Sequence, residues 1–271
     1  IPINSTYISD QLVIDSRDRK WVCGMGGKDK GIVCIDGDTF NFYNEADGLP
    51  FSQYLSIRCY LDPFDTKWFY STDNGVVRYD NSAWKHFKTT DGLFNDPINC
   101  MVVDSDHVAW FAGNRGISSF DDVKWTTYSD GDKLPLLSVN RIIADSKGTK
   151  WAVASSNLVR FDGVGWKLVS VEQGLMEPNV FSAIAGKDGV VFVSGRNSIS
   201  RWDGSSWRQF PLAGTISYFG YFGYEGYVDR KNRFWFSASV DGVNRLVSCD
   251  GDSVRYHQPG TLYSATEDRN G

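Results

Sequence analysis

Apolar and aromatic residues along this chain fall in short runs, each bounded by Gly, Asp, Asn or Ser. Trp68-Phe69-Tyr70-Ser71, Val76-Val77-Arg78-Tyr79 and Trp84-Lys85-His86-Phe87 are typical, rich in β-branched and aromatic side chains, and read as strands. No stretch keeps a 3.6-residue apolar period long enough for a substantial helix, so the chain is expected to be all-β. An aromatic marker organises the runs: Trp21, Trp68, Trp110, Trp151, Phe192 and Trp235 recur at intervals of roughly 41 to 47 residues. That is the length of one four-stranded propeller blade.

The register repeats around each marker. Asp15, Asp62, Asp104, Asp145 and Asp229 stand six residues before it, and Gly186 alone departs. The third run ends at Asp36-Gly37, Asp80-Asn81, Asp121-Asp122, Asp162-Gly163, Asp203-Gly204 and Asp250-Gly251, a hairpin signal because such turns need φ > 0. A fourth run opens with Trp84, Trp125, Trp166 or Trp207 in units two to five, so nine of the ten tryptophans hold repeat positions and Trp202 stands outside them. The expected fold is a single β-propeller domain over residues 1–271, with blades at 8–49, 50–93, 94–134, 135–175, 176–212 and 213–260. Residues 261–268 match the first strand of a further unit, with Asp268 at the acidic position, so six blades with an accessory strand and a truncated seventh blade both stand; residues 1–7 are the candidate outer strand of that seventh. The indoles are read as wedges between blades.

Composition narrows the function. A net charge of -5 argues against a general nucleic-acid binder, which needs a basic surface to displace counterions. No run approaches the 18 apolar residues of a membrane span, and the N-terminus lacks an initiator Met and a signal-peptide pattern, which reads as a processed protein or excised domain. Five cysteines, Cys23, Cys34, Cys59, Cys100 and Cys249, form no metal-ligand spacing. No disulfide is expected, or at most Cys23 to Cys34 across the first blade's hairpin. Asn4-Ser5-Thr6 is a formal glycosylation sequon.

Taken together, the unit resembles the two-component regulator propeller repeat. Unit two carries it best, in Asp62, Trp68, Gly75-Val76, Tyr79-Asp80, Trp84, Phe87 and Asp91-Gly92-Leu93, and Asp47-Gly48-Leu49 and Gln173-Gly174-Leu175 repeat the closing signature. The resemblance implies a periplasmic or extracellular sensor region of bacterial hybrid histidine kinases, coupled to signal transduction, with carbohydrate fragments as frequent ligands. The kinase, the transmembrane helix and the immunoglobulin-like domain that usually follows are not in this chain. Gly186 for the acid, Phe192 for Trp and a sixth unit without a second Trp depart from the pattern.

Catalytic signatures are scarce. His86, His107 and His257 occupy unrelated repeat positions, and the glycine-rich run Cys23 to Lys28 opens no helix that would anchor a phosphate. The repeated acid reads as a turn or backbone acceptor rather than catalytic chemistry. No cofactor, metal or catalytic residue is therefore expected. Two features break the repeat. An insertion before the sixth unit, Ser217 to Tyr227, alternates aromatics with glycine and reads either as packed strand or as a stacking platform bearing Tyr218, Tyr221 and Phe222. The turns between second and third strands carry Lys28, Lys30, Asn74, Arg115 and Arg196, read either as a solvated rim or as a ring of donors on the same face. The second reading gives a site for an anionic oligosaccharide or other small ligand; a protein partner or self-association is the other use of such a face. A free-standing lectin and, more remotely, a propeller lyase or hydrolase centred on His257 with Tyr256 and Tyr263 are the alternatives.

Overall fold

The computed structural model describes residues 12–25, 31–49, 57–71, 75–94, 97–129, 138–214 and 226–259. Within them the chain forms six four-stranded antiparallel sheets, the blades of a β-propeller fold. It divides into two compact units, residues 1–103 with 107–127 and residues 104–106 with 128–271.

The first unit holds blade 1, made of β1 (Leu12–Ile14), β2 (Lys20–Met25), β3 (Gly31–Asp36) and β4 (Thr39–Tyr43). Blade 2 follows with β5 (Arg58–Leu61), β6 (Lys67–Tyr70), β7 (Val76–Tyr79) and β8 (Trp84–Phe87). Most of blade 3 completes it: β9 (Ile98–Val103), β10 (Ala109–Gly113), β11 (Gly116–Phe120) and β12 (Trp125–Ser129). The second unit holds blade 4, with β13 (Val139–Ala144), β14 (Lys150–Ala154), β15 (Asn157–Phe161) and β16 (Trp166–Val169). Blade 5 has β17 (Ser182–Ala185), β18 (Val191–Ser194), β19 (Ser198–Trp202) and β20 (Trp207–Pro211). Blade 6 has β21 (Gly226–Val228), β22 (Phe234–Val240), β23 (Val243–Cys249) and β24 (Val254–Pro259).

The repeated aspartate is a staple. Asp15, Asp62, Asp145 and Asp229 each accept the marker indole N–H on Oδ2, at 2.9, 2.9, 3.1 and 2.9 Å. Their Oδ1 atoms accept backbone N–H groups two and four residues on. Asp104 does the same for Asp106 N–H at 3.0 Å. One buried carboxylate thus satisfies three donors that a hairpin loop would otherwise leave unpaired. The loop needs a left-handed residue three positions after the acid, and Asp18, Asp65, His107, Gly148 and Asn232 supply it with φ of 63°, 67°, 63°, 79° and 57°. Asp, Asn, His and Gly are the residue types that tolerate that region.

A cation lies over most of the markers, from either of two places. Arg78 over Trp68 and Arg160 over Trp151 come from the neighbouring third strand, where each arginine is the marker's cross-strand partner. In blades 1 and 6 that partner is Cys34 or Ser248, and the cation comes instead from the loop, Arg19 over Trp21 and Arg233 over Trp235. Such contacts contribute about 0.5 to 2 kcal/mol each.

Blade 5 departs as a coordinated set. With Gly186 for the acid and Phe192 for the indole, donor and acceptor are lost together, and buried Phe192 stacks on Phe234 at 5.4 Å. The hairpin changes too. Val190 N–H bonds to Lys187 O, and both central residues are left-handed, Asp188 at 59° and Gly189 at 77°, the type I′ pattern that Asp-Gly favours.

The closing signature docks one blade on the next. Short 3-10 turns at Glu45–Asp47, Thr89–Asp91 and Val171–Gln173 are closed by Asp47, Asp91 or Gln173 reaching back to the N–H of Asn44, Lys88 or Ser170. The glycine that follows must be left-handed and thin. A Cβ on Gly92 (φ 114°) would lie 2.7 Å from Trp125 Cγ, and one on Gly174 (φ 112°) 2.9 Å from Trp207 Cβ. Leu93 and Leu175 are buried beside them.

One expectation is corrected. Trp202 belongs to the repeat: it ends its third strand opposite Trp207, as Tyr79 stands opposite Trp84 and Phe161 opposite Trp166, and the ring pairs stack or tilt at 5.3, 4.4 and 5.3 Å. Trp235 keeps some exposure, with His257 stacked on it at 5.0 Å, whereas the other markers are fully buried. Register sets Cys23 opposite Ile32 and Cys34 opposite Trp21, and none of the five buried cysteines forms a disulfide. Cys23 instead meets Cys59 of blade 2, and burial, then that contact, pushes its thiol well above the usual range.

Candidate functional site

Of the residues singled out by sequence, Arg115 and Arg196 fall among those described. Lys28, Lys30, Asn74, Tyr218, Tyr221 and Phe222 lie outside them, as do Tyr263 and the strand expected at 261–268. Arg115 is exposed in the two-residue turn joining β10 to β11, where Asn99 Nδ2 donates to Asn114 Oδ1 at 2.8 Å. Arg196 is exposed in the turn joining β18 to β19. The two arginines belong to different compact units.

Around Arg196 the second unit gathers several loops. Glu177, on the connection leading into β17, accepts the backbone N–H groups of Arg196 and Asn197 at 3.0 and 2.8 Å and the Ser198 hydroxyl at 2.5 Å. The same connection bonds backward, Val180 N–H to Ser156 O of blade 4's turn at 2.8 Å, and inward, Phe181 N–H to Ser194 O at 2.8 Å. Leu212 N–H bonds Asn197 O at 2.9 Å, and a Cβ on Gly214 would lie 2.2 Å from Ser239 O beside blade 6's turn. Second-to-third-strand turns and the connections entering first strands therefore share one edge in this unit. The chain leaves that edge at Gly214 toward the aromatic insertion.

Sequence reasoning missed Glu177. Its signal is faint, an acid two residues after the closing Leu175, and only the fold reveals that it binds a turn 19 residues away. A second missed feature is Lys67, whose side chain is wholly buried in the first unit. Its Nζ lies 3.3 Å from Asp15 Oδ2 and 3.1 Å from Asp65 Oδ2 and donates to Asn81 Oδ1 at 2.8 Å. Arg19 reaches both Asp15 and Asn81 at 2.7 and 2.6 Å. Lys150 repeats the arrangement, 2.7 Å from Asp104 of the preceding blade. Lys67 and Lys150 each stand directly before their marker and tie adjacent blades, whereas Lys20, before Trp21, pairs with Asp18 of its own loop. Burial raises the Asp15 pKa, but hydrogen bonds from Trp21 and Arg19 outweigh it and hold the carboxyl well below the usual range.

The turns at the third strand's end bind themselves. Asp80, Asp121, Asp162, Asp203 and Asp250 accept backbone N–H groups two and three residues on. Bonds from Ser82 and Ala83 hold Asp80 down to about 2. These carboxylates are spent on structure. One arrangement among the described residues looks like a nucleophile and base, His257 Nε2 at 2.8 Å from Ser248 Oγ. His257 stacks over its marker as Tyr43 and Phe87 do over theirs. The Tyr256 hydroxyl is turned away to accept from Ala213 N–H at 2.7 Å. Among the described residues no group of three or more His, Cys, Asp or Glu could hold a metal ion, and no helix is long and apolar enough to cross a membrane.

No protein-family model and no curated protein matches the chain. Solved structures do. The extracellular domain of the hybrid two-component system BT3049 from B. thetaiotaomicron superposes with TM-score 0.66 at 18% identity, over 89% of this chain and 33% of that one. The extracellular domain of BT4673 from the same organism gives 0.67 at 18%, over 91% and 36%. A streptogramin B lyase gives 0.65 at 12%, over 96% and 86%. The chain spans about a third of the length of the two-component extracellular domains it matches. With these likenesses the propeller repeat read from the sequence holds: the chain has the fold of propellers found in extracellular domains of two-component systems.

Proposed function

We propose that this chain is a non-catalytic, extracytoplasmic sensing or interaction propeller, part of a two-component signalling protein, that recognises an anionic oligosaccharide on the edge carrying its second-to-third-strand turns. The gathering of loops around Arg196 carries the reading. Glu177 fixes the turn's backbone, so the exposed guanidinium is presented from a support that needs no further backbone ordering. The aromatic insertion bearing Tyr218, Tyr221 and Phe222 follows Gly214 in the sequence, and such rings suit sugar faces. Lys28, Lys30, Asn74 and Arg115 are the corresponding polar residues of the other turns.

Titration of sulfated and uronate-containing oligosaccharides against Arg196→Ala and Arg115→Ala tests this. Each substitution is expected to weaken binding by about 1.5 to 3 kcal/mol, the worth of a charged hydrogen bond, with unchanged thermal unfolding. Unaltered affinity in both variants overturns the site. A stoichiometry of several equivalent sites per chain would favour the lectin reading. A lyase reading draws on the streptogramin B lyase likeness and on Ser248 and His257. His257→Ala separates it, since loss of a turnover activity has no place in a sensor.

A further inference from the structure

Three of the five cysteines, Cys23, Cys34 and Cys59, lie in one buried core between blades 1 and 2 of the first unit. Strand geometry brings two of them together. Side chains alternate along a strand, so Cys23 faces the same way as Trp21, whose ring meets Phe69 and Tyr79 of blade 2 at 6.0 and 5.5 Å. Cys59 on β5 stands directly opposite Phe69 on β6, so it faces back toward blade 1. Its Sγ donates to Trp21 O at 3.9 Å, two residues from Cys23, and it shares a hydrogen bond with the Cys23 thiol. Cys34 takes a different place, opposite Trp21 in the register of β2 and β3. Cys100 and Cys249 belong to blades 3 and 6.

The position of the pair gives it a mechanical consequence. Lys67 and Asp15 already tie blade 2 to the loop that leads into β2, at 3.3 Å. Cys23 lies toward the other end of β2, so a bond from it to Cys59 fixes that strand to blade 2 a second time.

We propose that Cys23 and Cys59 are a redox pair that closes into a disulfide between blades 1 and 2. The reaction is thiol–disulfide exchange with a small disulfide donor. Cys59, with 5% of its surface exposed against none for Cys23, attacks the donor as a thiolate, forming a mixed disulfide and releasing one donor thiol. Cys23 then loses its proton and attacks Cys59 Sγ; the protein disulfide forms and the second donor thiol leaves. Two cysteine thiols are oxidised, and the donor, reduced to two thiols, takes up their two protons. Burial, then the Cys59 contact, holds the Cys23 thiol well above the usual range, so its thiolate is scarce in the packed core and exchange there is slow. The link is therefore set while the chain folds. Extracytoplasmic compartments supply such donors, and closure does not depend on the ligand proposed above.

The whole chain, reduced and unfolded in urea, is refolded with oxidised glutathione or with reduced glutathione alone. The oxidised sample is expected to lose the mass of two hydrogen atoms and, after digestion without reductant, to yield a peptide joining Cys23 to Cys59. Its unfolding temperature should exceed that of the reduced sample by roughly 5 to 10 °C, and Cys59→Ala should abolish that rise. Cys34→Ala should keep the cross-link. The peptide map of the wild type decides the proposal even where a variant folds poorly. All five thiols intact after refolding with the oxidised donor overturn it, as does a glutathione adduct at Cys59 that never resolves, or a cross-link through Cys34, Cys100 or Cys249. A rise of the same size in Cys59→Ala overturns the assignment to this pair.

Discussion

Blade 4 and blade 5 solve one problem in opposite ways. In blade 4 the loop before the marker is held by Asp145, which accepts the Trp151 indole at 3.1 Å and the N–H groups of Lys147 and Thr149 at 2.9 and 3.0 Å. In blade 5 the acid and the indole are both gone, Phe192 is buried without polar atoms, and the loop closes on its own backbone through Asp188-Gly189. An unmatched half of either solution would leave a buried donor or acceptor unpaired. In blade 5 the polar staple is therefore replaced whole, donor and acceptor together.

The largest effect should come from breaking one half of blade 4's arrangement. Asp145→Ala orphans the indole N–H and two loop N–H groups, for an expected loss of about 2 to 4 kcal/mol in urea unfolding. Trp151→Ala, a large-to-small change in the core, should cost about 3 to 5 kcal/mol. The sharper measurement is the cycle with Trp151→Phe. If the pair is replaced as a unit, Asp145→Ala costs less in the Trp151→Phe background, with a coupling of about 1 to 2 kcal/mol. Additive losses would mean that the indole N–H is not what the carboxylate serves.

The reverse experiment grafts the staple onto blade 5. Gly186→Asp should destabilise by about 1 to 3 kcal/mol, because its Cβ would lie 2.6 Å from Asn232 Oδ1 and 3.2 Å from Val228 Cγ1. Adding Phe192→Trp should not restore stability, since the type I′ turn directs Val190 N–H to Lys187 O. Recovery in the double variant would show that the loop follows the side chains rather than the Asp-Gly turn.

Much of this was legible in the sequence, and for a physical reason. A repeat reports each requirement several times, so the Asp six residues before each marker could be assigned to turn structure rather than to chemistry. Trp202 was misjudged because the third strand's last position tolerates Tyr, Phe or Trp, and a Trp there hides among the more conspicuous markers. Register decided the cysteines. Alternate residues of β2 and β3 face one side, which pairs Cys34 with Trp21 and sends Cys23 to the neighbouring blade, a contact that sequence spacing does not encode. Glu177 escaped notice because its bonds depend on which loops the folded blade 5 brings together across 19 residues of sequence. The partial exposure of Trp235 was hidden by its membership of the repeat, because a pattern shared by all blades is silent on what packs against any one of them.

The smallest expected effect separates stapled from unstapled blades by acid. Asp15 and Asp229 both titrate below the ordinary carboxylate range: burial pushes them up, but bonds from the marker indole and from Arg19 or Arg233 outweigh it. Their folded pKa values lie below the unfolded ones, so the stability they contribute is present above about pH 4 and lost as pH falls from there through the folded values. Blade 5 has no carboxylate at that position and contributes no such term. Unfolding midpoints of the wild type, Asp15→Asn and Asp229→Asn should therefore differ most near neutrality and converge as the pH drops below about 4. Asn keeps one acceptor for the loop N–H groups but sets an NH2 donor against the marker indole, so the pH-dependent part of the difference reports the charge and the pH-independent part the lost acceptor. For Asp15 that charge also faces Lys67 at 3.3 Å, a cation with no exposed surface. Asp15→Asn should accordingly lose more than Asp229→Asn at pH 7, because removing one partner of a buried pair strands the other. Equal losses at the two sites would mean that Asp65 and Asn81 suffice for Lys67, and parallel pH profiles for all three proteins would remove the carboxylates from acid sensitivity altogether.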